Sequence, residues 1–126
     1  MSEPRACCVV RRDGELLVEE RVDPDAGERV FRPLGRHVGD DAAESALEAE
    51  FSSVLGVELV AASALGTFDG VRVLEGSIRE AWPYAESGFT VYDPDVGETT
   101  RVCWLHVDDF RKYGETLAPE GLLDAL

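Results

Sequence analysis

The sequence has almost no lysine, no long hydrophobic run and no basic cluster. Its 126 residues include 12 basic residues, of which only Lys112 is a lysine, against 26 acidic residues, for a net charge of −14. Because binding to nucleic acid or to an anionic membrane depends on a basic patch, this balance excludes both kinds of partner. No apolar stretch approaches the ~20 residues that a membrane-spanning helix needs. The opening MSEPRACCVV lacks the pattern of a secretory signal, and we expect a cytoplasmic protein.

The acidic residues are spread along the chain and not gathered in a tail. Dispersed negative charge of this extent is typical of surfaces adapted to concentrated salt, as in halophilic proteins. The alternative is that the acidic surface binds a cationic partner. We expect the salt-adapted surface, and therefore a high-salt cytoplasm.

Cysteine and histidine are also scarce. Cys7 and Cys8 are neighbours on a predicted strand, so their side chains point to opposite faces and cannot share one metal ion. Cys103 lies in another apolar strand, and we expect all three to be buried free thiols in a reducing compartment. His37 and His106 are isolated and show no ligand-like spacing.

The chain is long enough for one domain, residues 1–126, with a two- or three-layer core. ACCVVRR and ELLVEERV predict a β-hairpin around an Asp13-Gly14 turn. VFRPL predicts a short strand that leads to Gly35. Further strands are predicted in VELVAASALGTFDG, SIREAWPYAE, GFTVYD and TTRVCWLHV, and short helices in DDFRKYG and PEGLLDAL. Mixed strands around one long helix, with a second helix at the C-terminus, indicate an α/β (α+β) sandwich.

The long helix is predicted between an Asp40 or Asp41 cap and about Leu55, with Gly56 as its stop. At 100° per residue its apolar side chains form one stripe that should pack against the sheet. The stripe consists of Ala43, Leu47, Phe51, Val54 and Leu55. Ser45, Glu48 and Ser52 point towards solvent. Glu50 and Ser53 lie on a flank, where Glu50 is either a metal ligand or a solvated helix residue.

The stretch GRHVGDDAAESALEAEFSSVLGV resembles a Nudix box, G-x5-E-x7-R-E-U-x-E-E-x-G-U, where U is bulky and apolar. Five positions are in register: Gly35, Glu50, Phe51, Gly56 and Val57. Asp41 stands for the first glutamate, and the pattern is degenerate where Ala49 replaces the arginine and Ser53 and Val54 replace the last two glutamates. The flanking CCVVRRDGELLVEER…ERVFRPLG and VCWLHVDDF…LAPEGLLDAL resemble Nudix hydrolases of the ADP-ribose and nucleoside-diphosphate type, so the likeness covers nearly the whole chain.

The resemblance implies the Nudix α/β/α sandwich, with a mixed central sheet, one long box helix and a C-terminal helix. It also implies cleavage of a diphosphate that joins a nucleoside to another group, with Mg²⁺ or Mn²⁺ as cofactor. Glu50 and Asp41 match catalytic positions, and Glu50 with the backbone of Gly35 would hold metal. Arg101 stands where family members often carry a glutamate, three residues before the closing tryptophan.

Three functions follow. The first is a protein that hydrolyses weakly or not at all and still binds a nucleotide, because two negative charges are missing from the helix face that would bind metal. The second is an active hydrolase with relocated carboxylates, and the third is a homodimeric interaction module with a filled cleft. The relocated set would be Glu50, Asp40 or Asp41, and a late acid from Asp93, Asp95 and Glu98. Phosphates could contact Arg32, Arg36, Arg72 and Arg79. A base could stack on Phe31, Phe68, Trp82 or Tyr84, although aromatic residues in strands usually belong to a core.

Overall fold

The computed structural model describes residues 5–22, 27–38, 42–93 and 97–126. Asp40, Asp41 and Asp95, named above as cap, catalytic or metal-binding candidates, lie outside the described residues. The strands are β1 (Arg5–Arg12), β2 (Glu15–Val22), β3 (Arg29–Pro33), β4 (Gly35–His37), β5 (Leu59–Phe68), β6 (Val71–Ile78), β7 (Gly88–Asp93) and β8 (Glu98–His106). The helices are α1 (Ala43–Glu50), continued by a π-helical turn (Phe51–Leu55), α2 (Trp82–Ala85), α3 (Val107–Arg111) and a 3-10 turn (Leu123–Ala125).

The predicted hairpin of β1 and β2 is confirmed. Asp13 has φ 46° and Gly14 has φ 82°, the two positive values that favoured two-residue hairpin turns require. A Cβ on Gly14 would lie 2.7 Å from Nε2 of His106. Only glycine satisfies both the backbone conformation and the close approach of the histidine ring.

The two hairpin strands pair only beside their turn and then diverge. β1 pairs with β2 at Arg11 and Arg12, and further along it pairs with β4 on one side and, in parallel, with β6 on the other. β2 pairs with β3 and with β8, and the path across the sheet is β5-β6-β1-β2-β8-β7. β3 and β4 therefore fill the space between β1 and β2, which we call the wedge (residues 29–37).

Gly35 allows β4 to approach β1 inside the wedge. It pairs with Cys7, and a Cβ at Gly35 would overlap the carbonyl oxygen of Ala6 and lie 2.7 Å from the Cβ of Cys7. The first glycine of the box is thus required by packing, whatever chemistry the site performs.

The sheet separates two hydrophobic cores. On one face α1 packs over a core that includes Cys8, Leu17, Leu47, Phe51 and Trp104. On the other face α3 and the C-terminal segment cover Cys7, Val9, Phe31, Cys103 and Phe110. Cys7 and Cys8 lie on opposite faces, as predicted, and all three cysteines are buried free thiols. Burial raises the pKa of Cys7 to about 11 and that of Cys8 to about 12.

The end of the long helix is as predicted, and its start is not. Gly56 has φ 68°, and the N–H groups of Gly56 and Val57 donate to the carbonyls of Ser52 and Phe51, so a left-handed glycine closes the helix. The N-cap residue is Ala42, which has no side-chain cap. The helix therefore starts later than predicted, and the predicted caps Asp40 and Asp41 lie outside the described residues.

Two other predicted elements differ. SIREAWPYAE is not a strand, because β6 ends at Ile78 and Pro83 suits the first turn of α2. The hydroxyl of Tyr84 accepts a hydrogen bond of 2.8 Å from the N–H of Ile78. PEGLLDAL forms only the 3-10 turn, so the layer on that face is thin. Among the described residues, no helix is long and apolar enough to cross a membrane.

Candidate functional site

The three box positions that would carry glutamates have different environments. Glu50 ends α1 and is buried, at 3% exposure, so a solvated Glu50 is wrong. Ser53 is exposed, and its hydroxyl donates to the carbonyl of Glu50 over 3.4 Å, a bond back into the helix. Val54 is half-buried and packs against the core on the α1 face. The predicted apolar stripe is buried apart from half-buried Val54, and Ser45, Glu48 and Ser52 are exposed as expected.

These side chains do not fit a divalent metal ion. Mg²⁺ needs several oxygen ligands and is held in proteins by carboxylates together with substrate phosphates. Glu50 supplies one carboxylate, the hydroxyl of Ser53 is a neutral and weak ligand, and Val54 offers no ligand. Across the described ranges no group of three histidine, cysteine or acidic side chains could hold a metal. Gly35, a predicted backbone ligand, lies in β4 against Cys7.

The two late acids that the structure describes, Asp93 and Glu98, lie in different settings. Asp93 ends β7 and is buried, and β7 packs against the π-helical turn. Glu98 begins β8, is exposed and forms an ion pair of 3.6 Å with Arg21. Arg101 pairs with Glu20 at 3.4 Å, so a cation stands where the resemblance leads one to expect an acid.

Three arginines, one of them from the wedge, converge on one carboxylate oxygen of β2. Oε1 of Glu19 accepts from Nε of Arg32 at 2.7 Å, from Nη2 of Arg5 at 3.3 Å and from Nε of Arg21 at 3.5 Å. We call these four residues the Glu19 cluster. Glu19 and Arg32 are cross-strand partners in the β2–β3 ladder, which aligns their side chains. Burial lowers the pKa of Arg5, and the neighbouring charges of Arg32 and Arg21 lower it further.

Sequence reasoning named Arg32 and Arg36 as phosphate contacts but missed Arg5, Arg21 and Glu19. Arg36 lies half-buried on β4, where its Cα partner is Ala6, next to Arg5. The two other candidate arginines, Arg72 and Arg79, are exposed, and Arg79 pairs with Glu58 at 2.8 Å. Of the four candidates, Arg32 is the one that belongs to the Glu19 cluster.

The four aromatic candidates differ in exposure: Phe31 is buried, Phe68 and Tyr84 are half-buried, and Trp82 is exposed. Phe31 is 3% exposed, meets Phe110 edge-on at 6.3 Å and belongs to the core on the α3 face. Stacking a base on Phe31 would require this ring to leave that core. Tyr84 is stacked on Trp104 at 5.6 Å. Phe68 packs against the core on the α3 face. Trp82 is 43% exposed, the most exposed of the four candidate rings, and lies 5.4 Å from Phe89.

A separate groove of about 490 Å³ lies along β7 and β8, lined in part by Arg29, Phe31, Arg101 and Cys103. None of the box residues that the structure describes lines it. Its position on the face away from Glu50 separates it from the box.

The architecture is that of a mixed α+β protein with a large mixed sheet and one long helix packed on one of its faces, and solved structures identify it as the Nudix fold. A Nudix hydrolase from Nitrosomonas europaea superposes with a TM-score of 0.65 over 98% of this chain and 86% of that one, at 14% identity. A MutT Nudix hydrolase from Burkholderia pseudomallei gives 0.58 over 99% and 97%, at 17% identity. The E. coli ORF135 protein gives 0.56 over 96% and 85%, at 19% identity.

The sequence itself matches no family model and no curated protein. The expected α/β sandwich and the resemblance to the Nudix superfamily are thus confirmed by structural likeness, at the level of the fold.

Proposed function

We propose that this chain is a Nudix protein of the nucleoside-diphosphate-X lineage that binds a nucleotide diphosphate and hydrolyses it weakly or not at all. The observation that carries the proposal is the state of the box: Glu50 is buried, Ser53 bonds back into the helix, and Val54 belongs to the packing. The Nudix pattern that the chain resembles has carboxylates where Ser53 and Val54 stand.

The missing negative charges explain why we expect a large loss of affinity for a divalent metal ion. Three glutamates at i, i+3 and i+4 would project from one helical face and offset a dication together with the substrate phosphates. Ser53 and Val54 remove two of those negative charges, and Ala49 removes the arginine that would hold neighbouring carboxylates. Restoring affinity for the dication would need acids from elsewhere in the chain.

Retained binding is supported by the wedge. Guanidinium groups are planar donors that match phosphate oxygens in pairs and need no metal to do so. Arg32 and Arg36 lie on consecutive strands of the wedge, and Arg32 is 30% exposed. Arginines could therefore hold a diphosphate without any metal ion bound at the box.

The active alternative has one observation in its favour. Asp93 is a buried carboxylate at the end of β7, and β7 packs against the π-helical turn. Metal-dependent turnover abolished equally by Glu50→Gln and Asp93→Asn would establish that alternative.

Binding is tested by calorimetric titration of ADP-ribose in EDTA and again in Mg²⁺, with adenosine as the control that lacks phosphate. We expect saturable binding of ADP-ribose in EDTA, weaker binding of adenosine, and chromatographic recovery of intact ADP-ribose from both titrations. Absence of saturation at millimolar ligand, or turnover in Mg²⁺ at an ordinary enzymatic rate of about 1 s⁻¹ or more, would refute the proposal.

A further inference from the structure

The Glu19 cluster concentrates positive charge in a chain that carries a net −14. Its three guanidinium groups approach the same oxygen, Oε1 of Glu19, and only the 2.7 Å bond from Arg32 is short. The one other acidic partner of these arginines in the described chain is Glu98, 3.6 Å from Arg21 at the rim. These five side chains therefore carry one positive charge in excess.

The arginines have many more donors than Glu19 can use. Each guanidinium presents five N–H donors in a fixed fork, and a carboxylate offers about four lone-pair positions. Glu19 engages one nitrogen of each arginine through a single oxygen. A phosphoryl group has three oxygens and could take paired donors from two arginines at once.

The cluster has a buried floor and an open side. The side chains of Glu19 and Arg5 are 8% and 13% exposed, whereas those of Arg32 and Arg21 are 30% and 26% exposed. An anion can therefore reach Arg32 and Arg21 from solvent, while Arg5 supports them from below. Partial burial strengthens such contacts, because charges there are less screened than on an open surface.

A structural role alone would require fewer cations. One arginine neutralises a buried glutamate, whereas a second and a third add mutual repulsion and desolvation cost. Repulsion is evident at Arg5, whose pKa is lowered by burial first and by Arg32 and Arg21 in addition. An anion bound beside Glu19 would relieve it.

We propose that the Glu19 cluster is a metal-independent oxyanion site that binds the diphosphate of a ligand through Arg32 and Arg21, with Arg5 and Glu19 as positioning residues. The choice of a nucleotide as the natural ligand rests on the function proposed above, whereas the anion site itself does not. Inorganic pyrophosphate and a nucleoside diphosphate share the chemistry that the site recognises.

The first experiment removes the internal carboxylate. Glu19→Gln leaves three arginines without their central anion, and we expect its melting temperature in EDTA and dilute chloride to fall by about 5–10 °C. Pyrophosphate should restore at least half of that fall at saturation, and chloride of equal ionic strength should not. Glu58→Gln, which removes the partner of Arg79, should show no rescue by pyrophosphate. If pyrophosphate shifts Glu19→Gln no more than chloride does, the proposal is overturned.

The second experiment measures affinity on folded variants. Arg32→Gln should weaken binding of pyrophosphate and of ADP-ribose by tenfold or more in EDTA, and Arg79→Gln should leave both unchanged. Stronger binding of ADP-ribose than of pyrophosphate would assign the nucleotide as the ligand, and equal binding would keep the anion site while removing support for the nucleotide. If ADP-ribose binds the native chain and Arg32→Gln has no effect, the nucleotide function stands and this site is wrong.

Discussion

At the scale of single residues, Ser53 and Val54 stand where the Nudix pattern has glutamates, and neither offers a carboxylate. The hydroxyl of Ser53 donates to the helix backbone, and Val54 joins the apolar contacts on the α1 face. The stripe of packing residues could be predicted from helical periodicity, because that signal is local. The burial of Glu50 could not, because it depends on strands that reach the helix from elsewhere in the chain.

Restoring the box should restore a response to metal. The change Ala49→Arg, Ser53→Glu and Val54→Glu places three carboxylates at i, i+3 and i+4 with Glu50, and their repulsion is relieved by a dication. We expect Mg²⁺ or Mn²⁺ to raise the melting temperature of this variant and not that of the native chain.

Single variants separate packing from charge in that experiment. Val54→Glu should cost about 1–3 kcal/mol of unfolding free energy without metal, because it desolvates a carboxylate. Ser53→Glu, at an exposed position, should stay within about 0.5 kcal/mol of the native chain. A metal-induced shift of the native melting temperature would show that its own residues already bind metal.

The buried thiols predict a pH dependence of stability. Burial raises the pKa of Cys7 to about 11 and that of Cys8 to about 12, above their ordinary value of 9.0. The folded chain therefore holds these protons more tightly than the unfolded chain, so stability is full below pH 9 and falls as the pH rises towards 11 and 12. Urea midpoints at pH 7.5, 9 and 10.5 should decline above pH 9. Replacing both residues by alanine should flatten that decline, and an unchanged slope would assign it to other groups.

At the scale of elements, features that depend on neighbouring residues could be predicted from the sequence. Features that depend on pairing between distant segments could not. Asp13-Gly14 and Gly56 mark a turn and a helix end through backbone conformation alone, so both could be predicted. β4 and the wedge could not, because the pairing of Gly35 with Cys7 joins distant segments. The Glu19 cluster has the same origin: Arg5 and Arg32 lie 14 and 13 positions from Glu19 in the sequence.

Two glycines of the box helix region should respond differently to alanine. Gly35→Ala places a Cβ against the carbonyl of Ala6, with no flexible side chain to move, and we expect a loss of several kcal/mol or failure to fold. Gly56→Ala meets nothing within 4 Å and only adopts a left-handed conformation, φ 68°, at a cost of about 1–2 kcal/mol. Denaturant titration of both variants tests this order, and a smaller cost at position 35 would contradict the packing described for the wedge.

At the scale of the whole molecule, a net charge of −14 over 126 residues produces self-repulsion that salt can screen. The Debye length falls from about 30 Å at 0.01 M salt to about 3 Å at 1 M salt, so molar salt screens this repulsion far more strongly than dilute buffer does. We predict that the melting temperature rises between dilute buffer and molar KCl. Equal stability at both concentrations would contradict a salt-adapted surface.

The central claim, a Nudix fold without an effective metal centre, is tested most directly by steady-state turnover of the native chain. ADP-ribose, a nucleoside-diphosphate sugar and a dinucleoside polyphosphate are supplied with Mg²⁺ or with Mn²⁺, and the products are quantified against a Glu50→Gln control. The account predicts rates at background and no difference between the native chain and Glu50→Gln. Metal-dependent turnover of about 1 s⁻¹ or more, in the usual range of enzymes and lost in Glu50→Gln, would contradict it.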